Sequence, residues 1–109
     1  MAVFDDFLLE LKKEVADFAQ TRWEQYKDAA ISDGDAFVQQ LESDLHNWTV
    51  ELANGKLTQD DFAWLVAGKK DLAELVALKH AGLTEARLED FVNGLTDIVV
   101  STAAQIFLA

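Results

Sequence analysis

The sequence Leu57-Thr58-Gln59-Asp60-Asp61-Phe62 indicates the start of one helix, and Leu83-Thr84-Glu85-Ala86-Arg87-Leu88 indicates another 26 residues later. In each stretch a Thr occupies the N-cap position, where its hydroxyl can accept a backbone N–H of the first turn. A large apolar residue precedes each Thr and another stands at the fourth helical position, which is the pattern of a hydrophobic staple. The two stretches therefore predict helices that begin at Thr58 and Thr84.

The composition favours one helical domain over residues 1–109. Half of the residues are apolar, 27% are charged and none is proline. Because interior proline breaks helices, its absence beside frequent Ala, Leu, Asp and Glu is typical of an all-α chain. No sustained alternation of polar and apolar residues supports strands.

We predict an antiparallel up-down four-helix bundle with helices over about 4–30, 33–53, 58–80 and 84–108. A turn is expected at Ile31–Asp35, where Ser32 and Asp35 resemble a capping box. The second helix carries the most regular apolar stripe of the chain: Val38, Leu41, Leu45, Trp48 and Leu52. Asn54–Lys56 and Ala81–Gly82 end the second and third helices.

Equal helix lengths predict which residues share an end of the bundle. Phe4 and Phe7 should lie beside Ile106 and Phe107, while the opposite end should hold Tyr26, Phe37, Leu88 and Phe91. The spacing of 26 residues between helix starts fits an old duplication. It fits equally two unrelated helices of one length.

The third predicted helix does not keep one apolar face. If residues 58–80 form a straight helix, Lys69 lies in the middle of its apolar side and a second apolar strip faces the opposite way. Either Gly68 kinks or breaks the helix and resets its phase, or the helix is straight and its second strip meets a partner.

The fourth helix is apolar over more than half of its circumference, which exceeds what a bundle seam requires. We therefore expect a non-enzymatic protein–protein interaction domain, a small acidic adaptor that forms homodimers or binds another protein. The predicted contact surface comprises Trp64, Gly68, Leu75, Leu78, Val100, Ala104 and Leu108.

Charge and residue content argue against several other functions. The formal net charge is −11 with nine Lys and Arg, so direct binding to nucleic acid or to an anionic membrane is not expected. Cysteine is absent, and the acidic start at Asp5 and Asp6 does not resemble a signal peptide, so a cytoplasmic location is expected. We predict no catalytic, cofactor-binding or metal-binding residues.

Two other functions remain open at this point. An acidic inhibitor that imitates nucleic acid would need carboxylates along one face, such as Asp33, Asp35, Glu42 and Asp44. A carrier of an apolar ligand would need a cavity between helices.

Overall fold

The computed structural model describes residues 3–108, which form five packed α-helices and contain no strand. This confirms the predicted all-α helical bundle. In chain order the helices are α1 (Val3–Arg22), α2 (Lys27–Ala53), α3 (Gln59–Ala67), α4 (Val76–His80) and α5 (Glu85–Phe107). Short 3₁₀ turns, Glu24–Tyr26 and Lys70–Leu72, precede α2 and follow α3. No helix within residues 3–108 is both long and apolar enough to cross a bilayer.

Both predicted Thr caps are present. The Asp61 amide donates to Thr58 Oγ1 over 3.0 Å, and the Arg87 amide donates to Thr84 Oγ1 over 3.3 Å. Thr58 N–H also donates to the Asp61 side chain at 3.2 Å, which completes a capping box. The starts of α3 and α5 are therefore fixed by local hydrogen bonds, as the sequence predicts.

The core lies where α1 packs against both α2 and α5. Phe7 and Phe107 meet with ring centroids 5.4 Å apart, which confirms that these two residues share one end of the bundle. Towards the other end Phe18 stacks on Phe91 at 5.6 Å. The largest fully buried side chains are Phe7, Phe37, Phe62 and Phe91.

The first turn is not where the sequence predicts it. The predicted bounds 4–30 and 33–53 are wrong, because α1 ends at Arg22 and α2 begins at Lys27. Trp23 leaves the helical conformation and is buried, with its ring edge-on to Phe91 at 5.5 Å and the Arg87 guanidinium 5.0 Å above it. Tertiary packing of one aromatic side chain thus positions a turn that contains no Gly or Pro.

The predicted turn at Ile31–Asp35 is instead continuous helix. Gly34 lies there at the contact of α2 with α1 and α5. A Cβ at this position would be 2.6 Å from Val15 Cγ1 and 3.3 Å from Leu95 Cδ2. Glycine therefore allows the three helices to approach closely, and the packing it permits keeps α2 intact.

The third predicted helix, 58–80, is broken. α3 ends at Ala67 with Gly68 as its C-cap, and the helix does not resume until Val76. Of the two alternatives left open by the sequence, the break at Gly68 is the one observed, and a straight helix over 58–80 is excluded. The third predicted helix is thus replaced by α3, a 3₁₀ turn and α4.

Candidate functional site

The predicted contact surface is only partly exposed. Trp64 exposes 76% of its surface on α3, Leu108 exposes 46% after α5, and Gly68 is also exposed. Val100 and Ala104 on α5 are half-buried. We refer to these five residues as the Trp64 face.

The helices that carry the Trp64 face pack against each other. Lys70 Nζ, just beyond α3, donates to Asn93 Oδ1 on α5 over 2.7 Å. Since the two helices run antiparallel, Trp64, six residues before Lys70, lies near the level of Val100, seven residues after Asn93. Trp64 and Val100 therefore lie at a similar level on two adjacent helices.

Leu75 and Leu78 do not belong to an exposed surface, which corrects the prediction for these two residues. Leu78 is fully buried and Leu75 is 6% exposed. The reason is the break after Ala67, because residues beyond it no longer keep the phase of α3. Both side chains consequently turn into the core.

Polar contacts hold the broken segment to its neighbours. Lys69 Nζ lies 3.4 Å from Asp44 Oδ2 on α2, and Lys70 is bonded to Asn93 on α5. Lys69 is thus half-buried beside a carboxylate and not in the middle of an apolar face. Such partly exposed pairs contribute little stability.

Asp33 on α2 caps α4 across the bundle. Its two carboxylate oxygens accept hydrogen bonds from the backbone N–H groups of Ala77, at 3.1 Å, and Leu78, at 2.7 Å. These are the second and third residues of α4, whose N–H groups an N-cap side chain normally satisfies. The residue at the N-cap position itself, Leu75, has φ 54° and ψ 42°, and its side chain offers no cap.

The carboxylates proposed for nucleic-acid mimicry do not form an exposed row. Asp33 is buried beneath α4, and Asp44 is half-buried beside Lys69. Burial raises the pKa of the half-buried Asp35, although the nearby charge of Lys12 opposes this effect. Only Glu42 among the four is exposed. On α1 the pKa of Glu14 is raised mainly by a hydrogen bond with the Glu10 side chain and, to a smaller extent, by burial.

A long groove of about 960 Å³ lies between the start of α1 and the second half of α2. Its apolar lining includes Val3, Phe4, Val50 and Phe107. The His46 ring stands edge-on to Phe4 with centroids 4.8 Å apart. We call this the α1–α2 groove.

A second groove of about 530 Å³ lies between α2 and the segment from Leu72 to α4. Phe37 and Leu75 line it together with the polar side chains of Gln40 and His80. Its wall also includes Val76, which is 59% exposed. We call this the α2–α4 groove.

The two His residues lie in different grooves, His46 in the α1–α2 groove and His80 in the α2–α4 groove. Within residues 3–108 no group of three or more His, Asp or Glu side chains is placed to hold a metal ion.

Comparisons of the chain with protein-family models, with curated proteins and with solved structures find no match.

Proposed function

We propose that this chain is a non-enzymatic protein–protein interaction domain, a small acidic adaptor that forms homodimers through the Trp64 face. The observation that carries the proposal is the 76% exposure of Trp64, the largest among the exposed apolar side chains of residues 3–108. Trp is enriched among the residues that dominate binding energy at protein interfaces.

The apolar area at Trp64 is large enough to matter. A buried Trp covers about 150–250 Å², and apolar burial is worth about 25 cal/mol per Å². Covering the exposed part of Trp64 would therefore contribute roughly 3 kcal/mol per copy before the costs of association. A structural role within the monomer does not explain this exposure, because most of the side chain makes no contact there.

A second copy of the chain suits this face by its shape. Gly68 lies one helical turn beyond Trp64, and Ala104 lies between Val100 and Leu108 on α5. Such small residues allow two backbones to approach closely, and a two-fold contact would use each residue of the face twice. The exposed Asp60 and Asp97 also lie on these helices, so repulsion between copies should weaken the dimer at low salt.

The test is the mass in solution, measured by light scattering across a range of concentrations and salt. We expect the native chain to reach twice its 12.1 kDa and the dimer to strengthen with added salt. Trp64→Asp should give a folded monomer. Leu9→Asp is the matched control, since Leu9 is 67% exposed on α1, outside the Trp64 face, and should leave the dimer unchanged.

Either of two results would refute the proposal. A native chain that stays monomeric at high concentration would exclude the homodimer, and a Trp64→Asp dimer as stable as the native one would place the contact elsewhere. Helical circular dichroism of each variant separates loss of the dimer from loss of the fold. A cytoplasmic location and the absence of direct nucleic-acid or membrane binding remain predictions.

A further inference from the structure

We infer that residues 69–81 form a strap that opens as one unit while α1, α2, α3 and α5 stay folded. The strap comprises the 3₁₀ turn after α3, α4, and the residues that join and follow them. None of its residues belongs to the Trp64 face, so this conformational device is separate from the proposed homodimer.

The strap is attached to the bundle at few points. α4 is five residues long and packs chiefly against α2, whereas each of the other four helices packs against at least two helices. Within the strap only Leu75 and Leu78 are buried. An isolated helix needs about 12–15 residues to be stable in water, so α4 depends on these contacts for its helical form.

Open space lies on both sides of the strap. The α2–α4 groove of about 530 Å³ runs along its border with α2, and a cleft of about 520 Å³ lies between it and the first half of α5. Leu75 lines both. Close packing couples the parts of a core, so a segment flanked by two clefts gives up few contacts when it moves.

A glycine stands next to each end of the strap, and side chains of other helices hold neither of them. A Cβ at Gly68 would meet only backbone oxygens of its own turn, and a Cβ at Gly82 would meet nothing within 4 Å. Both glycines are exposed. The chain direction can therefore change at these two points without a clash, as hinge residues require.

The contacts that keep the strap closed are lost together. The N–H groups of Ala77 and Leu78 donate to the same carboxylate, that of Asp33 on α2. Both bonds break when α4 leaves α2, and the left-handed strain at Leu75 is released in the same step. Opening would expose Leu78 and uncover Phe37, which lines the α2–α4 groove and is 1% exposed in the closed state.

Native-state hydrogen exchange of the full chain, followed by NMR at low urea concentrations, tests whether the strap opens alone. We expect the amides of Ala77, Leu78 and Lys79 to share one weak dependence on urea, because opening exposes little surface. Relative to their intrinsic rates they should exchange roughly 100-fold faster than the amide of Leu41, in the buried part of α2.

A single introduced thiol gives a second measurement, because the chain contains no cysteine. Leu78→Cys and Leu41→Cys make the same change at two fully buried Leu residues. A thiol reagent should label the Leu78→Cys variant roughly 100-fold faster than the Leu41→Cys variant, with helical circular dichroism confirming that both are folded.

A core substitution distant from the strap separates strap opening from global unfolding. Val99 is fully buried on α5, beyond the part of that helix that lines the cleft. Added to each variant, Val99→Ala should speed labelling of Leu41→Cys about tenfold by lowering global stability. It should change labelling of Leu78→Cys less than about twofold, because strap opening leaves α5 folded.

Three results would overturn the proposal. The first is exchange of the Ala77, Leu78 and Lys79 amides with the rate and urea dependence of the Leu41 amide. The second is equal labelling of the two thiol variants, and the third is an equal effect of Val99→Ala on both, since each would mean that Leu78 is reached only when the whole chain unfolds. Trp64→Asp should leave the ratio of the two labelling rates unchanged, so the outcome does not depend on the homodimer.

Discussion

Gly34 and Gly68 each stand where the sequence allows a helix to stop, yet of the two only Gly68 ends a helix. Gly34 is buried where α2 crosses α1 and α5, and an added Cβ would be only 2.6 Å from Val15. Gly68 is exposed, and a Cβ there would meet only backbone oxygens of its own turn, the nearest at 3.4 Å. A helical glycine costs about 1 kcal/mol relative to alanine. At Gly34 the side chains of α1 and α5 leave no room for a Cβ, whereas at Gly68 no side chain of another helix lies within 4 Å of that position.

The continuous helix α2 also caps α4, the helix that follows the break after α3. Asp33 is the neighbour of Gly34, and because α2 continues through residues 31–35 its carboxylate reaches the start of α4. Leu75, which leads into α4, adopts a left-handed conformation that costs an L-residue about 1–2 kcal/mol. The hydrogen bonds from Asp33 and the burial of Leu78 therefore offset the cost of the left-handed conformation at Leu75.

Asp33→Ala removes the cap on α4 and should lower the free energy of unfolding more than any other variant proposed for this chain. It leaves the N–H groups of Ala77 and Leu78 without an acceptor, and hydrogen bonds to a charged group contribute about 1.5–3 kcal/mol each. We expect the free energy of unfolding in urea to fall by roughly 3 kcal/mol, with faster hydrogen exchange at those two amides. Ser32→Ala, at an exposed neighbouring position, is the control and should change little. Equal stability of Asp33→Ala and the native chain would show that the cap is dispensable.

The same substitution at the two glycines should have opposite signs. Gly34→Ala places a methyl group against Val15, and overpacking typically costs about 1–3 kcal/mol, so it should destabilise the chain although Ala favours helix. Gly68 has φ −65°, which Ala adopts freely, so Gly68→Ala should stabilise the chain by about 0.5 kcal/mol. Urea unfolding of both variants measures the difference. If both stabilise the chain, the close approach at Gly34 does not constrain the fold.

Local chemistry explains what the sequence predicts correctly. The caps at Thr58 and Thr84 depend only on residues three positions away, so both helix starts are visible in the sequence. The turn at Trp23 depends on Phe91 and Arg87, more than 60 residues distant, and no Gly or Pro marks it. One pattern in the sequence does indicate that α2 is continuous through residues 31–35. The small and apolar positions Ala30, Gly34 and Phe37 extend the helical stripe of Leu41 and Leu45 without a change of phase.

The predicted contact surface is wrong beyond the break after α3, because the prediction treated residues 58–80 as one unbroken helix. Trp64 lies before the break and is exposed as predicted, whereas Leu75 and Leu78 lie after it and are buried. The cap from Asp33 joins residues 44 and 45 positions apart, so no sequence pattern near α4 could reveal it. A helix face can be extrapolated from sequence only as far as the helix continues.

Asp35 gives a smaller test of the continuous part of α2. Burial raises its pKa above the ordinary 3.8, so its charged form is disfavoured in the folded state. This loss of folding stability is therefore present at neutral pH. As pH falls, the folded chain takes up the proton before the unfolded chain does, so the loss shrinks through the raised pKa and is gone below 3.8. Asp35→Asn should be more stable than the native chain at neutral pH, and this advantage should shrink towards acid.

The measurement for Asp35→Asn is urea unfolding at neutral pH and again below pH 3.8. Glu42→Gln removes one exposed carboxylate from the same helix, so it controls for the general relief of negative charge in a chain of net charge −11. The gain from Asp35→Asn at neutral pH should exceed that of Glu42→Gln. If Asp35→Asn is instead less stable at neutral pH, attraction to Lys12 outweighs burial, and residues 31–35 are held against α1 by charge as well as by the close contact at Gly34.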